Sequence, residues 1–447
     1  MAAGLPSSSA KSSYVEGQSY KGPLIVVTNL FFIWAFVTNL NDVLIPYLKR
    51  ACDLSDFESS LVQFAFFTAY FVMSIPSAAI IKKVGYKKGM LIGLAAMFLG
   101  ALIFIPASSS RIYILFLVAL FVLASGVTLL QVAANPYVTI LGKPETASSR
   151  LNLTQAFNSL GATVAPWIGG TLILSALTDE EYGLLSEAKK TAYLDGQAGN
   201  VILTYVGLAV IILVIGLIIY FSRLPEVQTE EEEVVEDDKS NFFTHRHLFL
   251  GVLSIFLYVG AEVAIGSFII RFAGEPSIGG LSEMEGKNFV SYYMFFAMVG
   301  RFAGSYVLSK ISPGKLVGFN AIVAIALLLV TVFATGSVAL YAVVLIGLCN
   351  SIMFPTIFTL AIKDLGSYAK QGSSYLVMAI VGGAFIPPLM GVVSGEYGIQ
   401  LAFLVPVLCY VFIAYYGFRG SKVLSVSVER DTQEEADAES MAKEIPL

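Results

Sequence analysis

The segment PLIVVTNLFFIWAFVTNLNDVLIPYL, residues 23–48, is long enough to cross a lipid bilayer, yet it carries Asn39, Asn41 and Asp42 within one helical turn. About 20 apolar residues span the hydrocarbon as a helix. An acid at the centre of such a helix costs at least ~2.5–3.5 kcal/mol, so Asp42 needs either a function or a buried partner. The rest of the chain repeats the apolar length of this segment many times and its buried charge hardly at all.

Composition agrees with a bilayer as the solvent. Hydrophobic residues make up 56% of the 447, charged residues 13%, and the mean hydropathy is +0.77. Soluble domains carry roughly 25% charged residues, so a chain this apolar cannot cover itself for water. The net charge of −5 resides in loops and tails. Cys52, Cys349 and Cys409 are odd in number and widely scattered, which implies neither a disulfide framework nor a metal site. Residues 1–22 are polar and serine-rich, so the first apolar segment is expected to be an uncleaved anchor.

Twelve apolar segments are expected, at 24–48, 59–81, 88–106, 111–140, 150–177, 199–222, 247–273, 287–309, 315–335, 338–362, 372–394 and 399–419. Helices satisfy their own backbone groups in lipid, and the alternation expected of a barrel is missing. The tails and even-numbered loops hold 19 of the 27 Lys and Arg, the odd-numbered loops seven, and Arg301 falls at a helix end. This bias puts both termini in the cytoplasm.

The run RLPEVQTEEEEVVEDDKSNFFTHRH, residues 223–247, is too acidic to fold into a core and reads as a linker. The fold class is therefore an all-α membrane protein of two pseudo-symmetric six-helix bundles, 24–222 and 247–420. A cytoplasmic tail (1–23), the linker (223–246) and an acidic tail (421–447) complete the domains. SAAIIKKVGYKKG (77–89) after span two and GRFAGSYVLSKISPGK (300–315) after span eight put small residues and a basic turn at the same place in each half. Two half-bundles around a central cavity are a common plan of secondary transporters.

Two acids fall well inside spans, Asp42 in the first and Glu262 in the seventh, which the repeat places on opposite walls of one cavity. Amides gather in the first half: Asn39 and Asn41 beside Asp42, Gln131 and Asn135 four apart, and Gln155 and Asn158 three apart, each pair on one helix face. Amides offer donors and acceptors together, as a hydroxyl-rich ligand requires; they also bridge helices in lipid. Trp34 offers an aromatic face for a sugar ring or for packing, and Asn350 joins the candidate ligand residues. Pro136, Pro166, Pro355, Pro387 and Pro388, with Gly382-Gly383, are expected to soften spans four, five, ten and eleven. Both histidines, His245 and His247, lie in the inner loop, and no phosphate loop occurs. No enzymatic, nucleic-acid-binding or cofactor-binding signature is present.

The stretches FFIWAFVTNLNDVLIP, QVAANPYVTILG, RLNLTQAFNSLGATVAP, YVGAEVAIGSFIIR, FPTIFTLAIKDLG and YAKQGSSYLVM together resemble the fucose–galactose–glucose symporter family of the major facilitator superfamily, over about residues 24–420. The resemblance implies cation-coupled hexose uptake by alternating access. It maps a proton-coupling acid onto Asp42, a second coupling acid onto the position of Gln131, a tyrosine onto Phe354 and a ligand asparagine onto Asn158. The fucose pattern is broken at Gln131 and Phe354. Glu262 stands where the fucose branch has glutamine, so the chain looks more like the glucose/galactose/mannose branch.

A proton carrier needs one acid whose affinity for the proton is raised by desolvation, whereas sodium needs several oxygens around it. Asp42, Gln131 and Asn41 are the candidate coupling residues, with Asp42 and Gln131 as the oxygen donors of a sodium site. Sodium is read ahead of the proton. The expected partners are a sugar such as glucose, galactose or mannose and the lipid bilayer, with no nucleic acid. The expected form is a monomer in a bacterial inner membrane. A proton-driven exporter of drugs or metabolites and a membrane sugar sensor are the alternatives.

Overall fold

The computed structural model describes residues 19–173, 182, 184–225 and 242–423. Within them the side chains of Asp42, Val43 and Pro46 lie outside the described ones, as do the acidic run 226–241 and the tails 1–18 and 424–447. The first span is α1 (Lys21–Ala51). The helix α2 (Asp56–Ser110) is two spans joined at Gly85, whose φ of 81° and ψ of 172° turn the chain back between its paired lysines. A residue with a Cβ adopts that backbone only under strain. Then follow α3 (Tyr113–Ile140), α4 (Ala147–Ile173) and α5 (Glu187–Phe221).

The second half contains α6 (Arg246–Gly274), α7 (Glu283–Leu308) and α8 (Pro313–Phe333). Its last three spans are interrupted. The tenth is α9 (Gly336–Asn350) with α10 (Met353–Ala361), and the eleventh is α11 (Ala369–Met378) with α12 (Gly382–Tyr397) across a 3-10 turn at Ala379–Val381. The twelfth is α13 (Ile399–Ala402) with α14 (Leu404–Tyr415), closed by a π turn at Tyr416–Gly420.

Among the described residues, nine helical stretches are long and apolar enough to cross a membrane, α2 counting once. The two that fall short, α4 and α7, are polar because they face each other across the seam between the halves. The expected segments match these helices, residues 174–177 of the fifth lying outside the described ones, with one extension. Helix α5 starts at Glu187, twelve residues before position 199, where an apolar count begins. Its first turns carry charge pairs, Lys190 with Glu187 and Asp195 with Arg111, which place them beyond the hydrocarbon.

The duplication is written into the packing. Spans two and eight both open with a capping box, Ser55–Glu58 and Ser282–Glu285. The backbone and hydroxyl of Ser55 hold the Glu58 carboxyl below the usual range, and those of Ser282 do the same for Glu285. Span five crosses span one where a Cβ on Gly161 would lie 2.4 Å from the Phe32 carbonyl oxygen. Span eleven crosses span seven where a Cβ on Gly382 would lie 2.0 Å from that of Phe256. Gly382 was expected to soften its helix; its other role is to let two backbones touch.

Helices α1 to α5 pack among themselves, as do α6 to α14. The halves meet through α4 on α7 and α10, and through α2 and α3 on α11. Hydrogen bonds across this seam gather toward the end that holds Lys82, Lys83 and Lys310. Ser148 pairs with Thr359 at 2.6 Å, Ser149 Oγ donates to the Ser305 carbonyl at 2.6 Å, and Ser305 Oγ donates back to that of Ser149 at 2.9 Å.

Gly382→Ala drives a methyl into a backbone carbonyl that cannot yield. It is expected to cost about 1–3 kcal/mol, read as a lower melting temperature in detergent. Gly395→Ala, where nothing lies within 4 Å of the added carbon, is expected to leave that temperature unchanged.

Candidate functional site

Two prolines create the polar seam. Pro136 in α3 has no N–H for the carbonyl of Val132 four residues earlier, and Ser373 Oγ from the other half donates to that carbonyl at 3.2 Å. Pro355 in α10 likewise frees the carbonyl of Ser351, which accepts from Arg301 Nε at 3.2 Å. The two spans accommodate their prolines differently. Helix α3 runs through Pro136 with one carbonyl lent to the partner half, while the tenth span breaks just before Pro355.

Arg301 was expected at a helix end. It lies inside α7 with a side chain 13% exposed, and it is the charged centre of the seam. Its Nη1 donates to the Gln155 carbonyl at 3.3 Å and to Ser159 Oγ, both on α4. Its Nη2 lies 3.9 Å from Glu262 Oε1. Its own carbonyl accepts from Asn152 Nδ2 at 2.6 Å. The sequence did hold a signal: an arginine eight residues before the end of an apolar run, in a chain with a second buried charge of opposite sign. A charge at membrane depth pairs with another or with backbone carbonyls, and Arg301 does both.

Glu262 therefore faces the seam, one turn from Tyr258 on α6. Its side chain retains 25% exposure, so it borders open space between the halves. Gln155, beside it across the seam, is buried, and its backbone carbonyl serves Arg301.

In the first half Gln131 Nε2 donates to the Tyr70 hydroxyl at 2.9 Å. Tyr70 also meets Thr38 of α1, whose hydroxyl donates to the Trp34 carbonyl at 2.8 Å. This relay connects α3 through α2 to α1, one helical turn from the position of Asp42. The side chain of Asp42 lies outside the described ones, so the relay marks where it is rooted on α1 and nothing more.

The remaining amides divide into two groups. Asn39 Nδ2 donates to the Ala35 carbonyl at 2.8 Å on its own helix, and Asn158 Nδ2 donates to that of Phe31 at 3.1 Å across to α1. In Asn41 the side-chain oxygen, and in Asn135 both side-chain polar atoms, are buried without a protein partner. A buried orphan of this kind costs about 1–3 kcal/mol, a cost that a water or ligand relieves.

Three further candidates are held in packing or in hydrogen bonds. Trp34 is 3% exposed, its ring centroid 4.2 Å from that of Phe31, so it offers no open face in this structure and fills core. Asn350 is fully buried and bonded at each polar group. Its Nδ2 donates to the Tyr293 hydroxyl at 2.7 Å, its Oδ1 accepts from Tyr410 and its carbonyl accepts from Tyr258 at 3.1 Å. With each of these groups engaged, it clamps the break in the tenth span. Phe354 is half-buried beside Phe358, with ring centroids 6.1 Å apart.

Residues 27–379 match the family model described as Major Facilitator Superfamily. The chain belongs to that superfamily. It is 49% identical over 423 residues to a glucose/galactose transporter of Brucella abortus (biovar 1, strain 9-941), covering 94% of this chain and 100% of the relative. It is 38% identical over 410 residues to the L-fucose-proton symporter of Escherichia coli K12, covering 89% of this chain and 93% of the relative. Identity thus places it in the fucose–galactose–glucose symporter family, nearer to the former relative than to the latter.

A crystal structure of the Escherichia coli fucose:proton symporter FucP superposes with a TM-score of 0.84 at 37% identity, over 91% of this chain and 100% of that one, and a structure of the Major Facilitator Superfamily transporter FucP in the outward conformation gives the same values. A proton:xylose symporter shares the fold alone, with a TM-score of 0.70 at 11% identity over 90% of this chain and 96% of that one. These likenesses and the helices described make this the twelve-helix fold of the superfamily. The superfamily's members move solutes across membranes; the chain is no enzyme.

Asn350→Ala removes the amide shared by two tyrosine hydroxyls. It is expected to destabilise by about 1–3 kcal/mol for each hydroxyl left unpaired, read as a lower melting temperature. Tyr410→Phe, which removes one hydroxyl and leaves the Tyr293 bond, is expected to cost less.

Proposed function

We propose that this chain is a sugar symporter that carries glucose or galactose inward together with a proton by alternating access. The observation that carries the reading is a group of buried amide atoms left without protein partners, Asn41 Oδ1 and both polar atoms of Asn135 among them, in the half that also holds Asp42. Hydroxyl-rich ligands bond to amides through both donors and acceptors. A relative whose name states glucose and galactose, 49% identical along its full length, supports the choice of sugar.

On this reading Asp42 carries the proton. Gln131 cannot titrate, and through Tyr70 it braces the wall beside the position of Asp42. Relatives whose names state an ion are proton symporters, which supports the proton over the sodium ion favoured from the oxygen-rich composition of the site. A sodium site built from Asp42 and Gln131 is accordingly set aside. Asn135, Gln155 and Glu262 are assigned to the sugar.

The two bundles, 24–222 and 247–420, rock about the seam, and the acidic segment 223–246 joins them. The excess of Lys and Arg puts the joined end of the seam and both tails in the cytoplasm of a bacterial inner membrane. The state seen is then the outward-facing one, and the working unit is a monomer. An exporter of greasy solutes has no use for partner-free amides, which disfavours that alternative.

In proteoliposomes with an imposed inward proton gradient, labelled glucose and galactose are expected to accumulate, while a sodium gradient alone drives nothing. Asp42→Asn is expected to abolish accumulation and leave sugar counterflow. Uptake indifferent to both gradients sinks the symport reading. Glu262→Gln is expected to raise the sugar KM at least about tenfold, the weight of one charged hydrogen bond.

A further inference from the structure

The guanidinium of Arg301 is held by both halves at once, and unequally. Toward α4, in the first half, it donates to the Gln155 carbonyl at 3.3 Å and to Ser159 Oγ. Within its own half it donates to the Ser351 carbonyl at 3.2 Å and approaches Glu262 at only 3.9 Å. Charge-assisted N–H···O bonds close to about 2.7–2.9 Å, so the carboxylate, the strongest acceptor within reach, is the least engaged.

Parting the halves at the joined end must carry α4, with both of its acceptors, away from Arg301. A bare guanidinium at membrane depth is prohibitively costly. The Ser351 carbonyl and Glu262, on α10's approach and α6, remain with it because they belong to the same half. Glu262 has about an ångström left to close.

We propose that Arg301 is a positioning residue that changes partners during the transport cycle. It bonds to Gln155 and Ser159 while the joined end is shut and closes onto Glu262 when that end opens, so the state of Glu262 sets the balance between the two. The proposal rests on the reading of the chain as an alternating-access carrier and adds the element that reports Glu262 to the gate. A sugar that bonds to Glu262 draws on the acceptor Arg301 needs in the open state. The site and the gate are thereby linked through one side chain.

The test uses spin labels on Lys143→Cys and Lys310→Cys, exposed positions at the joined end of opposite halves, with half-buried Cys52 replaced by alanine. Distances are read in lipid nanodiscs without sugar or gradient. Ser159→Ala, which removes an acceptor on α4, is expected to raise the ratio of long to short distances at least about fivefold, the lower end of ordinary coupling between sites. Adding Glu262→Gln to that variant is expected to reverse the shift, because the open state then lacks its carboxylate.

An unchanged ratio in Ser159→Ala overturns the proposal, and so does a shift that Glu262→Gln fails to reverse. Neither readout requires transport. A failed uptake assay therefore counts against symport while these distances still decide the role of Arg301.

Discussion

The constraint on which the rest depends is that no polar group at membrane depth goes without a partner cheaply. At the seam this constraint is met by exchange between the halves. Pro136 withdraws a donor from its own helix, and a serine of the other half replaces it. Pro355 does the same to the Ser351 carbonyl, and Arg301 replaces it. At Pro136 the failed helical bond is thus one by which the two bundles hold each other, while at Pro355 it fixes within the second half the arginine that grips the first. Such contacts are few and directional.

The duplicated architecture follows from the same economy. Capping boxes open spans two and eight, glycines let span five touch span one and span eleven touch span seven, and prolines free a carbonyl in spans four and ten. The repeat then diverges where function enters. The first half keeps amides with unmet bonding capacity, Asn41 and Asn135. The second spends its polar groups on tyrosine hydroxyls clamped to Asn350 and places a carboxylate and a guanidinium on the seam.

Much of this was legible in the residues. Hydropathy located the spans, and the acidic run separated the halves. Glu262 announced itself as a charge in an apolar segment, as Asp42 did. Two placements were not legible in the sequence. Trp34 and Asn350 have the right chemistry for a sugar site, but residue type does not show which way a helix face turns, and both face the interior of a bundle. Arg301 was read as a boundary residue because near the end of an apolar run a basic side chain normally reaches water. Here the neighbouring helix covers it. The capping boxes, LSDFE and LSEME, were present in the sequence and would have strengthened the case for a repeat.

By itself the sequence determined the solvent, the number and order of the spans and the family, because each follows from residue-by-residue transfer into lipid or from matched local motifs. Only the tertiary structure decided which polar groups are spent on holding helices together and which are left over, because that depends on crossings such as Gly161 on Phe32 and Gly382 on Phe256, set by residues far apart in the chain. The shared grip on Arg301 belongs to the same class: four acceptors from three segments converge on one guanidinium, and no single segment contains that information.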